Sequence, residues 1–227
     1  MKWIDKHVNA NLTESYNNKY GNSDYWQYQR LMFEHQDILN AFNHFIKIVE
    51  VPIEILDIGI NNALEIEILK KISQLKDWDW NSINLTGLDL SQNALNIAEN
   101  RLSELSVHFK LFNEDVVEYD LQSNYYDTCL AITSLQSASI YGKDYESYFQ
   151  KIINSMKKTS SFLIIVPDCS FENGFFIDGG AYNVNLNRQD KLFAEQFINR
   201  SYHILNKNNY EFEILGNTFK SIVATRK

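Results

Sequence analysis

The stretch IEILDIGINNALEIEIL, residues 53–69, decides the fold of this chain. An apolar run rich in isoleucine ends at Asp57, a single glycine follows at Gly59, and apolar residues with helical spacing begin at Leu64. A short apolar run that stops at a glycine is typical of a buried strand, whereas the later spacing is typical of an amphipathic helix. The stretch therefore predicts a strand, a tight turn and a helix in direct succession.

The same alternation continues to the end of the chain. Further strand-like runs are SINLTGLDL, VHFKLF, YDTCLAITSL and SFLIIVP, and most are separated by helix-like segments, one of which contains Tyr145 and Met156. Strands that alternate with helices predict a mostly parallel sheet covered by helices. The final segments YEFEIL and FKSIVATR flank Gly216-Asn217, which predicts an antiparallel hairpin at the end of the sheet.

The first 50 residues have a different character from the rest. Apolar residues from Trp26 to Val49 follow the spacing of one helix face, and Val51-Pro52 ends that helix because the residue before a proline avoids the α region. We therefore expect residues 1–50 to form a helical lid or extension and residues 51–227 to form the α/β domain.

Composition excludes several classes of protein. No apolar run approaches the roughly 18 residues of a membrane span, and the N-terminus lacks the apolar stretch of a secretory signal. The two cysteines, Cys129 and Cys169, give neither a disulfide framework nor a metal motif, so a reducing cytoplasm is expected. The net charge of −8 argues against a nucleic-acid partner, which requires a basic face.

Three carboxylates follow three successive predicted strands. Asp57 ends the first strand, Asp89 ends the second, and Asp115 follows the third. Ligands of open parallel sheets bind beyond the carboxyl ends of the strands, and a carboxylate there can accept two hydrogen bonds from a ribose diol. A single aspartate at a strand end is more often a turn residue, but three in register favour a binding site.

With these features the sequence resembles the class I S-adenosylmethionine-dependent methyltransferases over residues 50 to 227. The resemblance rests on LDIGINNA, GLDLSQNAL, FNEDVVEYD and the final hairpin. It implies an α/β fold: a three-layer Rossmann-like sandwich with a mostly parallel seven-stranded sheet that ends in an antiparallel hairpin, plus the N-terminal helical extension. It also implies S-adenosylmethionine as the cofactor.

The resemblance assigns a role to each of the three turns. In the family the first turn holds the methionine part of the cofactor, the second holds the ribose and adenine, and the third holds the adenine amine. The fourth strand ends between the cofactor and the substrate. The matching cofactor-binding residues here are Asp57, Gly59 and Asn61 in the first turn, Asp89 and Leu90 in the second, Asp115 in the third, and Thr133 after the fourth strand.

The first turn departs from the family pattern, which is an acidic residue followed by three alternating glycines. Only Gly59 is a glycine here, and Asn61 and Ala63 take the other two positions. Asparagine tolerates the left-handed backbone region better than other non-glycine residues. We therefore interpret the turn as a working variant, rather than as a lost cofactor site or an unrelated turn.

The acceptor is predicted to be a small molecule or metabolite, methylated on oxygen or nitrogen. The chain has two prolines and lacks the Asn/Asp-Pro-Pro-aromatic motif of many enzymes that methylate amino groups of nucleic acids. A long loop is expected over residues 170–188, and no metal site and no catalytic residue are assigned. The predicted substrate-binding residues are Tyr20, Tyr25, Trp26, His35 and Asp168.

Three other functions remain open. A non-catalytic methyltransferase-like subunit that binds a protein partner would explain the glycine-poor turn. A nicotinamide-dependent dehydrogenase would need glycines where Asn61 and Leu64 stand. An aminopropyl-transferring relative would use a decarboxylated form of the same cofactor. The oligomeric state is also open, with a homodimer as one option.

Overall fold

The computed structural model describes residues 23–135, 145–172, 174–178 and 193–227. Within these ranges the first two helices are α1 (Ser23–Glu34) and α2 (Gln36–Ile48). The chain then continues through β1 (Glu54–Ile58), α3 (Leu64–Ser73), a 3-10 turn (Gln74–Lys76), β2 (Asn84–Leu88), α4 (Gln92–Glu104), β3 (His108–Phe112), β4 (Tyr126–Ile132), α5 (Tyr145–Ser155), β5 (Met156–Pro167), β6 (Cys169–Glu172), β7 (Phe175–Asp178), α6 (Phe193–Lys207), β8 (Tyr210–Leu215) and β9 (Phe219–Arg226).

Seven of these strands form one sheet in the order β3-β2-β1-β4-β5-β9-β8. The first five of that order run parallel, and β9 pairs antiparallel with both β5 and β8. The predicted fold, a mostly parallel seven-stranded sheet that ends in an antiparallel hairpin, is confirmed. The strand order reverses between β1 and β4, and ligands of such sheets bind at this point.

Helices cover both faces of the sheet and create two hydrophobic cores. One core lies beneath α2, α3 and α4, and the other lies beneath α5 and α6. Side chains of β1 alternate between them, with Ile55 in the first core and Leu56 in the second. Strands that are buried on both faces explain why IEIL and FLIIV are almost continuously apolar.

The N-terminal helices share the first core, and one carboxylate fastens them to the final hairpin. Phe42 and Phe45 of α2 are fully buried in that core. Asp37 Oδ2 accepts hydrogen bonds from the backbone N–H groups of Asn217, Thr218 and Phe219, at 3.0, 2.8 and 3.2 Å. The extension therefore packs on the sheet, although the predicted domain boundary near residue 50 stays a prediction.

The prediction of one helix from Trp26 to Val49 is wrong, because the helix breaks at His35. This residue has an extended backbone (φ −69°, ψ 137°), and its Nδ1 accepts a hydrogen bond from the Asp37 N–H at 3.2 Å, which caps α2. The apolar spacing runs on through the break, so it could not reveal the separation of α1 from α2.

Two further boundaries differ from the prediction. Strand β5 begins at Met156, so the preceding helix ends at Ser155 and does not include Met156. Part of the expected loop over residues 170–188 is the antiparallel hairpin β6–β7, which turns at Gly174 with φ +84°. Residues 179–188 of that prediction lie outside the described ranges. Among the helices that the structure describes, none is long and apolar enough to cross a membrane.

Candidate active site

The turn between β1 and α3 has an unusual backbone. Gly59, Asn61 and Ala63 all have positive φ, at 73°, 55° and 58°. The N–H groups of Gly59 and Ile60 donate to the carbonyl of Leu88 at 2.7 and 3.1 Å, which holds the turn against the end of β2. A left-handed backbone costs a residue with a Cβ about 1–2 kcal/mol. The turn therefore keeps a three-glycine conformation even though two glycines are missing.

The end of β4 lies directly against this turn. A Cβ at Gly59 would be 2.5 Å from the Cβ of Ser134, so the close approach requires glycine there. Thr133 also has positive φ, and its N–H donates to the carbonyl of Ile165 at 2.8 Å. Ser134 Oγ is buried and has no hydrogen-bond partner in the described part of the chain. The two turns that flank the switch point thus meet around an unsatisfied polar atom.

Asp89 connects the turns after β1 and β2. Its Oδ2 accepts the N–H of Asn61 at 2.9 Å, and its Oδ1 accepts the N–H of Ser91 at 2.8 Å. The side-chain amide of Asn113 donates to the Asp89 carbonyl at 3.0 Å, which brings the turn after β3 to the same place. Each carboxylate oxygen has two lone pairs, so these bonds are compatible with acceptance from a ligand diol.

Asp115 and Leu90 are the other residues predicted to bind the adenosine part of the cofactor. The contacts of Asp115 are within its own turn. Asp115 is partly buried, and its Oδ1 accepts the N–H of Val117 at 3.0 Å. Its carbonyl accepts the N–H groups of Glu118 and Tyr119, both at 2.9 Å. Leu90 is partly buried beside Asp89. These contacts fix the turn after β3 and leave the cofactor roles of Asp115 and Leu90 as predictions.

Asp57 has a neighbour that the sequence did not indicate. Asp57 is fully buried, and its carboxyl oxygens accept no hydrogen bond from N–H groups or hydroxyls of the described residues. The neighbouring group is the carboxyl of Glu65, which is 2% exposed in the first turn of α3. Two carboxylates cannot hydrogen-bond to each other unless one of them carries a proton.

Burial makes both carboxyl groups of this pair weaker acids. Removal from water raises the pKa of Asp57 and the pKa of Glu65 well above their ordinary values, because burial penalises the charged form. The negative charge of Asp89 raises both pKa values further. In the structure Glu65, Leu69 and Ser73 form one buried stripe of α3, which places the Glu65 carboxyl against β1.

The structure brings the predicted substrate residue Tyr25 onto the predicted cofactor residue Asn61. The hydroxyl of Tyr25 accepts hydrogen bonds from the Asn61 amide and, at 2.9 Å, from the Gln29 amide. Trp26 packs edge-to-face on Tyr25, with 6.1 Å between ring centroids. Helix α1 therefore lies over the turn after β1. Tyr20 lies outside the described residues.

His35 and Asp168 lie on the side of β5 and its hairpin. The His35 ring contacts Phe176 of β7 and Phe219 of β9, with centroids 5.8 and 5.1 Å apart, while its Nδ1 caps α2. Asp168 follows β5 and forms an ion pair with Lys220 at 3.5 Å. Both contacts are structural, so the substrate roles of these two residues stay predictions.

Comparison with known proteins finds a domain family that part of the chain resembles. Residues 56–164 match the family model of a methyltransferase domain. No curated protein matches the chain by sequence. A solved S-adenosylmethionine-dependent methyltransferase from Aquifex aeolicus is similar, with 10% identity, a TM-score of 0.57, and coverage of 88% of this chain and 98% of that one.

Two other solved structures show the range of proteins with this fold. The plantazolicin methyltransferase BpumL, in complex with a triazolic desmethylPZN analog and SAH, is 12% identical with a TM-score of 0.58, over 100% of this chain and 98% of that one. The 16S rRNA methylase RmtB is 11% identical with a TM-score of 0.51, over 84% of this chain and 62% of that one. At these identities the likeness concerns the fold alone.

Proposed function

Because the chain carries a class I, S-adenosylmethionine-dependent methyltransferase domain with a Rossmann-like fold, we propose that its acceptor is a small molecule, methylated on oxygen or nitrogen in the cytoplasm. The observation that carries this proposal is the cluster of aromatic side chains next to the turn after β1. Tyr25 and Tyr28 of α1 stack with 6.2 Å between centroids, and Phe176 packs on Tyr28 at 5.8 Å. Such rings suit an apolar or aromatic acceptor.

The polar atoms at the switch point fit the cofactor. Ser134 Oγ and Asn61 Oδ1 are both buried without a hydrogen-bond partner among the described residues, and a buried polar atom of this kind calls for a ligand or water. Gly59 and Asn61 would hold the methionine part, Asp89 the ribose, and Leu90 and Asp115 the adenine. Bound S-adenosylmethionine supplies an electrophilic methyl group.

The remaining task of the protein is alignment and exclusion of water. Methyl transfer is an in-line displacement, so the acceptor atom must be held close to the methyl group and in line with the leaving sulfur. The aromatic cluster excludes water from this space, and an acceptor that must lose a proton also needs a base. We assign no base, because His35 and Asp168 are already engaged in the contacts described above.

Charge favours a small molecule over RNA. The chain has a net charge of −8, whereas a protein that binds nucleic acid gains most of its affinity from contacts of basic side chains with phosphates. Because RmtB, which has a similar fold, is an rRNA methylase, an RNA acceptor is the competing outcome of the experiment.

Transfer of labelled methyl groups tests the acceptor class. The protein is incubated with methyl-tritiated S-adenosylmethionine and a cell extract that has been separated into small-molecule, protein and RNA fractions. We expect protein-dependent label in the small-molecule fraction, and we expect Asp89→Asn to reduce it. Label confined to the RNA or protein fraction would contradict the proposed acceptor while leaving the methyltransferase activity intact.

A further inference from the structure

We propose that Tyr25 is a positioning residue that fastens the acceptor-side lid to the cofactor turn through the side chain of Asn61. The lid is defined here as helix α1 together with the β6–β7 hairpin. This inference rests on the proposed function, because it gives the lid and the turn their roles as acceptor and cofactor elements.

The backbone at position 61 does not explain the asparagine. Glycine would adopt the φ of 55° at this position without strain. The asparagine side chain, in contrast, has a definite use, because its amide donates to the Tyr25 hydroxyl. The residue that departs from the family's glycine pattern is therefore the one that contacts the lid.

Asn61 is held from two sides. Its backbone N–H donates to Asp89 Oδ2 at 2.9 Å, on the side where the ribose is proposed to bind, and its side chain reaches Tyr25 on the other side. A ligand that contacts Asp89 therefore acts on the residue that holds Tyr25. A chain of hydrogen bonds of this kind can carry coupling between two sites, and such coupling acts in both directions.

The lid transmits the contact through its aromatic rings. Tyr25 stacks on Tyr28, Tyr28 packs on Phe176 of β7, and Phe176 packs on Phe219 with 5.0 Å between centroids. The hairpin turn also approaches α1, since a Cβ at Gly174 would be 3.3 Å from Gln27 Nε2. The hydroxyl of Tyr25 thus connects one end of a packed layer to the cofactor turn.

Hydrogen–deuterium exchange of the α1 amides tests this connection. Tyr25→Phe removes the hydroxyl and keeps the ring, and Asn61→Gly removes the amide and keeps the positive φ. Loss of one hydrogen bond corresponds to about three- to tenfold faster exchange in α1. We expect this acceleration in both variants and no further acceleration in the double variant, because all three lack the same bond.

Tyr210→Phe is the matched control. It removes the hydroxyl of a different tyrosine, which is buried and bonds to Ser160 Oγ at 2.6 Å at the far edge of the sheet. We expect α1 exchange in this variant to equal that of the wild type. Equal α1 exchange in wild type and Tyr25→Phe would overturn the proposal, and so would the same acceleration in Tyr210→Phe.

Saturation with S-adenosylhomocysteine separates this inference from the proposed function. We expect the ligand to slow α1 exchange in the wild type and to bind Tyr25→Phe without slowing it. Equal slowing in both proteins would overturn the role of Tyr25. Absence of ligand binding to the wild type would contradict the cofactor site itself, and the comparison without ligand would still decide whether Tyr25 and Asn61 are connected.

Discussion

At the scale of the residue, Ala63 combines two properties that rarely occur together. It is fully buried at the start of α3, and its backbone is left-handed with φ 58°. A glycine would relieve about 1–2 kcal/mol of strain. It would also lose a buried methyl group worth about 0.8 kcal/mol and gain freedom in the unfolded chain worth about 0.5–1 kcal/mol.

These opposing effects predict a nearly neutral substitution. We expect Ala63→Gly to change the free energy of unfolding by less than about 0.5 kcal/mol, measured by urea denaturation. Ala98→Gly is the matched control, because Ala98 is equally buried but lies inside helix α4. The control is expected to lose about 2 kcal/mol, since glycine also weakens a helix. Equal losses in the two variants would contradict strain at Ala63.

The Asp57–Glu65 pair predicts a dependence of stability on pH. The folded-state pKa of each group is raised, so above the unfolded-state values near 4 the folded protein binds more protons than the unfolded chain. The pair's contribution to stability is therefore most favourable below pH ~4. It declines as the pH rises toward the folded-state pKa values.

Glu65→Gln removes one carboxyl from the pair. We expect the variant to be more stable than the wild type at pH 8 by about 1–3 kcal/mol, because the folded wild type must bury either a charge without full hydrogen bonding or a proton that the unfolded chain releases. Thermal unfolding between pH 5 and 8 should show a shallower decline than in the wild type. Glu67→Gln, on the same helix, is the control and should keep the steeper profile. If the Tm of Glu65→Gln declined with pH as steeply as that of the wild type, the coupling of the two carboxyls would be refuted.

The sequence predicts the site unevenly at this scale. The backbone of the turn is indicated by the alternating pattern of an acidic residue, Gly59, Asn61 and Ala63. In this pattern the three positions after the acid are those that need a positive φ. The partnership of Glu65 with Asp57 depends on the rotation of α3 against β1, which a local pattern does not specify. The roles of the predicted cofactor and substrate residues stay predictions.

At the scale of the element, Asp37 joins α2 to the turn between β8 and β9, which lies 180 residues later in the chain. Burial by itself would raise the pKa of Asp37. The three backbone N–H groups and the nearby His35 reverse that effect, so the pKa is lowered. The contribution of Asp37 to stability is therefore present above the unfolded-state pKa, and it is lost as the pH falls through the folded-state pKa.

Asp37→Asn should weaken this junction. We expect a loss of about 1–2 kcal/mol at pH 7, because hydrogen bonds to a charged acceptor are stronger than those to a neutral one. The difference from the wild type should shrink as the pH is lowered toward 3 in a urea denaturation series. Asp120→Asn, at an exposed position, controls for the loss of one negative charge. An unchanged difference at all pH values would exclude the charged acceptor as the cause.

The two features that the sequence missed have different physical causes. His35 interrupts a helix without interrupting the apolar spacing, because α1 and α2 both place apolar side chains in the first core. Among the strands that the structure describes, β6 and β7 pair only with each other, and the hairpin packs through Phe176. Its short strands therefore lack the buried runs that indicated the strands of the main sheet.

At the scale of the whole molecule, the sheet order brings distant turns to one place. The carboxyl ends of β1, β2 and β4 lie side by side, so residues near positions 59, 89 and 134 meet although they are far apart in sequence. The sequence predicts this convergence because parallel strands connected by helices share one carboxyl edge. We propose that this edge binds S-adenosylmethionine and that Asp89 holds its ribose.

Binding of S-adenosylhomocysteine to three proteins tests this proposal: the wild type, Asp89→Asn, and Asp168→Asn as the control beyond the end of β5. At a ligand concentration of about 100 times Kd, the wild type should gain about 2.7 kcal/mol, or roughly 5–10 °C in Tm. Asp168→Asn should show the same rise, and Asp89→Asn should bind about 10- to 100-fold more weakly. A wild-type Tm that does not rise at millimolar ligand, or a rise that Asp89→Asn retains in full, would contradict a cofactor site at Asp89.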